Sequence, residues 1–182
     1  MSRVGIYGGT FDPIHLGHLH VITQLIEKNL VDQLLVVPAG IPLLRENAPI
    51  ATGQQRRARC QLALADLPTE VATKVQVNPI EILRTGPSYA IDTVEAVAQN
   101  YPDDTIVLVI GQDAADKLEQ WHRIDELRTM VEFLVIGRPG FAGNGVDIGA
   151  LDVAATTIRQ GLSAAVSSSV AAFIRENNLY DN

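Results

Sequence analysis

The sequence predicts an α/β fold, a parallel sheet wound with helices on both faces, in a single domain over residues 1–182 whose C-terminal helical part begins near residue 152. Three observations predict it. Short β-rich runs alternate with stretches of helical periodicity. The length of 182 residues fits one ordinary domain with a sizeable core. A hydrophobic share of 47% against 19% charged residues excludes a disordered or fibrous chain.

The elements follow in order. Arg3 to Tyr7 is a β-rich run closed by Gly8-Gly9, and Gly17 to Asn29 carries Leu19, Ile22, Leu25 and Ile26 at helical spacing. Gln33 to Val37 reads as a second strand ended by Pro38, and Gln54 to Asp66 as a second helix. Val75 to Val77 is a third strand, Ile91 to Gln99 a helix, Thr105 to Ile110 a fourth strand and Glu132 to Ile136 a fifth, with helical patterns between the last two. Ala39 to Gly53 and the glycine-rich Gly137 to Gly149 read as surface loops. The tail holds helical patterns around Thr156 to Leu162 and from Ser168 to Asn177, with Ser167 or Ser168 as N-cap. Right-handed crossovers between such strands give a Rossmann-like, doubly wound sheet.

Composition narrows the function. A net charge of −7 disfavours nucleic acid or an anionic membrane as partner, while a small anionic ligand can still be held by local basic groups and helix ends. Cys60 is the only cysteine, so neither an intrachain disulfide nor a zinc thiolate cluster can form. With no signal-peptide core at the start and no run of about 20 apolar residues, the expectation is a soluble cytoplasmic protein. A homo-oligomer is compatible with all of this.

In open parallel sheets ligands bind beyond the carboxyl ends of the strands, which directs attention to Gly8-Gly9-Thr10-Phe11-Asp12-Pro13-Ile14-His15-Leu16-Gly17-His18. The glycines permit close backbone approach, and the helix start offers N–H groups and partial positive charge to an anion. His15 and His18, three residues apart, fall on nearly one face and can address one phosphate together. His20 falls elsewhere, with Gln24 and Glu27, and reads as solvent-facing. Asp113, reached from the fourth strand through Gly111, is placed to accept hydrogen bonds from ribose hydroxyls and to cap the next helix, two roles that are compatible. No Gly-x-x-x-x-Gly-Lys-Ser/Thr run occurs, and the second strand ends without the acidic residue of a dinucleotide site, so P-loop and nicotinamide oxidoreductase chemistry are excluded.

The segment GGTFDPIHLGH resembles the signature of the nucleotidyltransferase superfamily, with its His-x-Gly-His motif. Within it the chain resembles the bacterial nicotinate-mononucleotide adenylyltransferases along almost its full length. The further segments are Val37-Pro38 with Pro42, Gly86 to Tyr89 with Asp92-Thr93, Ile110 to Asp113 followed by Trp121, Arg138-Pro139-Gly140, Ala155 to Arg159 and Asn178-Leu179-Tyr180. The resemblance implies transfer of AMP from ATP to nicotinate mononucleotide, with His15, His18 and Arg159 as the catalytic set. It implies Gly8, Gly9, Thr10, Phe11, Gly17, Gly111, Asp113, Thr156, Thr157 and Ile158 at the ATP. Tyr89, Ala90, Trp121, Arg45 and Arg138 are implied at the mononucleotide, Trp121 stacking on the pyridine ring where a core role is the default for tryptophan. Arg159 is expected at the start of its helix, with its fork on the β and γ phosphates. No dedicated metal cage is visible in the sequence, and Mg²⁺ is expected to arrive bridged by ATP phosphates and water.

Three segments depart from the family pattern. Ile41 to Arg45 stands where Pro-Pro-His-Lys is usual. Ser88-Tyr89-Ala90 replaces Ser-Tyr-Thr and loses a hydroxyl expected near the nicotinate carboxylate. Val153 to Arg159 trades serines for alanines. The alternatives are a phosphopantetheine adenylyltransferase of the same superfamily, or a nucleotide-binding module without catalysis.

Overall fold

In the computed structural model, which describes residues 1–41, 47–137 and 143–180, five strands form one parallel sheet in the order β3-β2-β1-β4-β5. They are β1 (Arg3–Gly9), β2 (Gln33–Pro38), β3 (Val75–Val77), β4 (Thr105–Gly111) and β5 (Glu132–Ile136). The helices are α1 (Leu16–Glu27), α2 (Gly53–Ala65), α3 (Thr69–Ala72), α4 (Ile80–Leu83), α5 (Ala90–Asn100), α6 (Gln112–Ala115), α7 (Ile124–Met130), α8 (Ala155–Arg159) and α9 (Ser168–Glu176), with a 3-10 turn at Leu118–Gln120. The predicted α/β class is the one observed.

Strand periodicity divides the core. Leu34, Val36, Val107 and Val109 face one side of the sheet, where Ile22 and Leu25 of α1, Cys60 and Ala63 of α2 and Val170 of α9 cover them. Val4, Ile6, Leu35, Val37, Ile106 and Leu108 face the other, under Ile91 and Val94 of α5 and Leu127 of α7. With both faces covered, the central strands read as nearly unbroken apolar runs.

Several boundaries differ from the sequence reading. Gly8 and Gly9 do not make the turn: they extend β1, in register with Val37 and Pro38 of β2, and the chain turns only after them. An added Cβ on Gly9 would stand 2.8 Å from the Phe11 ring, so that glycine makes room for the folded-back phenylalanine. The four-residue helices α3 and α4 are too short to leave a periodic signal. The helix expected to run to Leu162 stops at Arg159, because Gly161 takes φ +71° and its N–H donates to the Ile158 carbonyl. The two supposed surface loops pack inward in part: Ala51 and Ile148 are buried, and Val146 forms a parallel bridge to Ile136.

Among the described residues, no helix is long and apolar enough to cross a membrane.

Candidate active site

The chain order changes direction between β1 and β4, and a cleft opens beyond their carboxyl ends, where doubly wound sheets bind ligands. It has two lobes that share Tyr7, Gly9, Thr10 and Gly111 as a common floor. The smaller, about 330 Å³, is walled by Phe11, His15, Gly17, His18, Asp113 and the segment Val153–Ala155. The larger, about 660 Å³, is walled by Glu81, Ser88, Tyr89, Ala90, Trp121 and His122. Both volumes lie within the range of small-molecule sites.

The two histidines meet as their spacing predicts. His15 occupies the N-cap position of α1, and its ring stacks on that of His18 with centroids 3.7 Å apart. The His15 backbone N–H donates to His18 Nδ1 at 3.2 Å, which assigns the ring proton of a neutral His18 to Nε2. Phe11 holds the other side of the ring edge-on, at 4.9 Å. Burial pushes the His15 imidazole down to about 4, so at neutral pH it acts as a neutral hydrogen-bonding group and brings no charge. The helix start is also less open than the sequence suggests, because the Leu16 N–H donates to the Ala165 carbonyl.

Arg159 closes α8; it does not begin it. Its Nη1 donates to the Asp12 carbonyl at 2.6 Å and its Nη2 to Thr156 Oγ1 at 3.2 Å, which places the guanidinium beside the smaller lobe. Thr156, Thr157 and Ile158 do not line that lobe: the Thr157 hydroxyl donates to Ala154 O, and Ile158 is in the core. Ala154 and Ala155 supply its wall instead. Asp113 is not a cap, since β4 runs through Gly111 and makes that residue the N-cap of α6; Asp113 lies in the first turn, on the smaller lobe. His20 is not solvent-facing. Its Nε2 bonds the Ile148 carbonyl at 2.8 Å and ties the segment before α8 to α1.

In the larger lobe, Tyr89 and Ala90 lie at the start of α5, with Tyr89 as N-cap. Trp121 is both a core and a lobe residue: it packs against the second core and lines the cavity, with Nε1 buried and unpartnered. Gly8 also lines this lobe, where only Val37 O, at 3.9 Å, would approach an added Cβ. Arg45 and Arg138 lie outside the described residues.

The sequence reading passed over several residues of the cleft. His122 stacks on Tyr89 at 4.2 Å. Glu81 accepts from Thr93 Oγ1 at 2.9 Å, and burial pushes its carboxyl above the usual range against the pull of Thr93. Asp12, Arg56 and Arg59 are buried behind the first loop, and Arg56 donates to the Thr10 carbonyl at 2.8 Å. Arg56 and Arg59, three apart on the face of α2 that also carries Cys60 and Ala63, are the one signal that could have found this cluster.

Among the described residues, no group of three or more His, Cys, Asp or Glu is placed to hold a metal ion.

A parallel sheet with a two-lobed cleft at its switch point, and a histidine pair stacked at the first helix start, define a class of nucleotide-handling enzyme. The chain belongs to the cytidylyltransferase-like family, whose model matches residues 6–172. Among the proteins it is similar to are nicotinate-nucleotide adenylyltransferases. The chain is 30% identical to the nicotinate-nucleotide adenylyltransferase of Bacillus subtilis (strain 168), with 100% of each covered. To the probable nicotinate-nucleotide adenylyltransferase of Shouchella clausii (strain KSM-K16) it is 34% identical, over 99% of this chain and 97% of that protein. The fold is similar to that of Plasmodium falciparum nicotinic acid mononucleotide adenylyltransferase complexed with NaAD, with a TM-score of 0.84 at 17% identity over 100% of this chain and 98% of that one.

Proposed function

We propose that this protein transfers AMP from ATP to nicotinate mononucleotide, forming nicotinate adenine dinucleotide and releasing pyrophosphate. The observation that carries this reading is the cleft itself, with a polar histidine lobe and an aromatic lobe meeting over one floor of backbone at Gly9, Thr10 and Gly111. The polar lobe takes ATP and the aromatic lobe the pyridine ring, so that the two phosphates to be joined meet between them.

A phosphate oxygen of the mononucleotide attacks the α-phosphorus of ATP. The new P–O–P bond forms as the bond to pyrophosphate breaks, and the leaving group takes the electron pair. The nucleophile is already an anion at neutral pH, so no general base is required and the protein's task is positioning and charge stabilisation. His18 gives its Nε2 proton as a hydrogen bond to the α-phosphate, with its other nitrogen held by the His15 N–H. Arg159 reaches the β and γ phosphates from beside the same lobe. Trp121 offers its face to the pyridine ring, and the N–H groups at the start of α5 receive the nicotinate carboxylate in place of the missing threonine hydroxyl at Ala90.

Mg²⁺ is proposed to enter with the nucleotide and supply neutralisation of phosphate charge. The donor set suits an ion that keeps most of its phosphate and water ligands: the Asp12 carboxylate is already hydrogen-bonded inside the protein, and Asp113 is the other carboxylate among the described residues of the smaller lobe.

The test is pyrophosphate release with ATP and, in turn, nicotinate mononucleotide, nicotinamide mononucleotide and phosphopantetheine. Turnover greatest with the acid mononucleotide is expected. A preference for the amide would overturn the substrate, and a preference for phosphopantetheine would overturn the pyridine lobe altogether.

A further inference from the structure

No step above uses the charge buried behind the first loop. Asp12 is 3% exposed, and its carboxylate receives hydrogen bonds from the Ile50 N–H at 2.8 Å, the Tyr180 hydroxyl at 2.5 Å and Arg59 Nη2 at 3.2 Å. Arg59 is fully buried on α2, and its Nη1 donates to the Tyr180 oxygen at 2.6 Å. The stretch from Ile50 to Arg59 and the distant Tyr180 therefore close on one carboxylate. The same residue's backbone carbonyl accepts the 2.6 Å bond from Arg159 that sets that guanidinium beside the ATP lobe.

We propose that Tyr180 and Arg59 are positioning residues for adenylyl transfer, which lock the Asp12 side chain and thereby fix the peptide that aims Arg159 at the nucleotide phosphates. A buried carboxylate with a hydroxyl and a guanidinium fixed on it has no room to rotate, so the peptide it belongs to is held from one side and presents its carbonyl on the other. Removing the Tyr180 hydroxyl leaves Asp12 short of one donor and Arg59 Nη1 without its acceptor, both on buried side chains, and the strain is relieved by movement of the Asp12 peptide. The larger lobe is spared. Its floor at Thr10 has a separate anchor in Arg56, and Tyr89 and Trp121 belong to other elements. The inference rests on the reading of Arg159 as an ATP contact.

Tyr180→Phe is the deciding variant because it keeps the ring and its packing. Titration of each ligand alone is expected to show ATP binding weakened about five- to thirtyfold and mononucleotide binding within about twofold of the parent, with the same split in the two KM values. Tyr101→Phe, which removes a hydroxyl that among the described residues accepts only from Gln76, at 3.5 Å, is expected to change neither. In an Arg159→Ala background, Tyr180→Phe is expected to add nothing to the loss of ATP affinity, as for two residues acting through one path. The proposal is overturned by unchanged ATP affinity, by equal weakening of both ligands, or by additive losses in the double variant. A parent that binds ATP but makes no dinucleotide would sink the functional reading alone, and the ATP titrations would still decide the positioning claim.

Discussion

The smaller lobe of the cleft takes most of its floor and both histidines from one continuous stretch, Tyr7 to His18, whereas the larger lobe gathers Val37 and Ala39 from the end of β2, Ser88 to Ala90 from the start of α5 and Trp121-His122 from the far side of β4. The first is polar and braced by buried groups: an Asp12 carboxylate with Arg59 and Tyr180, and an Arg56 on the Thr10 carbonyl. The second is aromatic and rests on the hydrophobic core that α5 and α7 share. Donors that stabilise developing charge must be held rigidly, and a short segment tied at many points does that. A flat ring needs only surface, which distant segments can supply together. Substitution of the histidine donor in the smaller lobe should therefore act on turnover, and substitutions in the larger lobe on the affinity for one substrate.

His18→Ala tests the sharper half of this contrast. Loss of a donor aimed at the transition state is expected to lower kcat about a hundred- to thousandfold, or about 3 to 4 kcal/mol, with ATP affinity little changed. A loss of affinity with kcat intact would make His18 a binding residue and erase the distinction between the lobes.

His15 gives the same lobe a pH dependence. Folding lowers its pKa from 6.5 to about 4, so the unfolded chain binds the extra proton across that window. Its contribution to stability is full at neutral pH and is lost as pH falls from about 6.5 towards 4, by about 3 kcal/mol in all. Denaturant unfolding at several pH values should show that slope in the parent and a flatter one in His15→Asn.

Trp121→Ala probes the larger lobe. Stacking of a base on an aromatic ring is worth about 1 to 3 kcal/mol, so KM for the mononucleotide should rise roughly five- to hundredfold while KM for ATP holds. Steady-state kinetics with each substrate varied in turn separates the two.

The smallest expected change is a gain. Ala90→Thr returns a hydroxyl to the first residue of α5, at the wall of the larger lobe. The ratio of kcat/KM for acid over amide mononucleotide should rise by roughly tenfold at most, the worth of one hydrogen bond to a charged group less what water already supplies. No change in that ratio would mean that backbone N–H groups alone read the carboxylate.

The sheet and the histidine lobe are legible in short windows of the sequence. Alternating strand and helix patterns define the α/β class, and His15 and His18 stand three apart as N-cap and N3 of α1, so the local geometry of a helix start brings their rings together. These features are local, set by spacings of a few residues. Tertiary structure decided the rest. Nothing in the spacing announces that His20 would hold the Ile148 carbonyl, that β4 would run through Gly111 and take the cap away from Asp113, or that His122 would stack on Tyr89. Tyr180 is the extreme case: its partner Asp12 stands 168 residues away, and only the packing of α2 and the C-terminal segment against the first loop brings the hydroxyl to the carboxylate. Hydrogen bonds across such distances depend on where whole elements come to rest, and that is fixed by burial of two cores on a twisted sheet, which no short window of sequence contains.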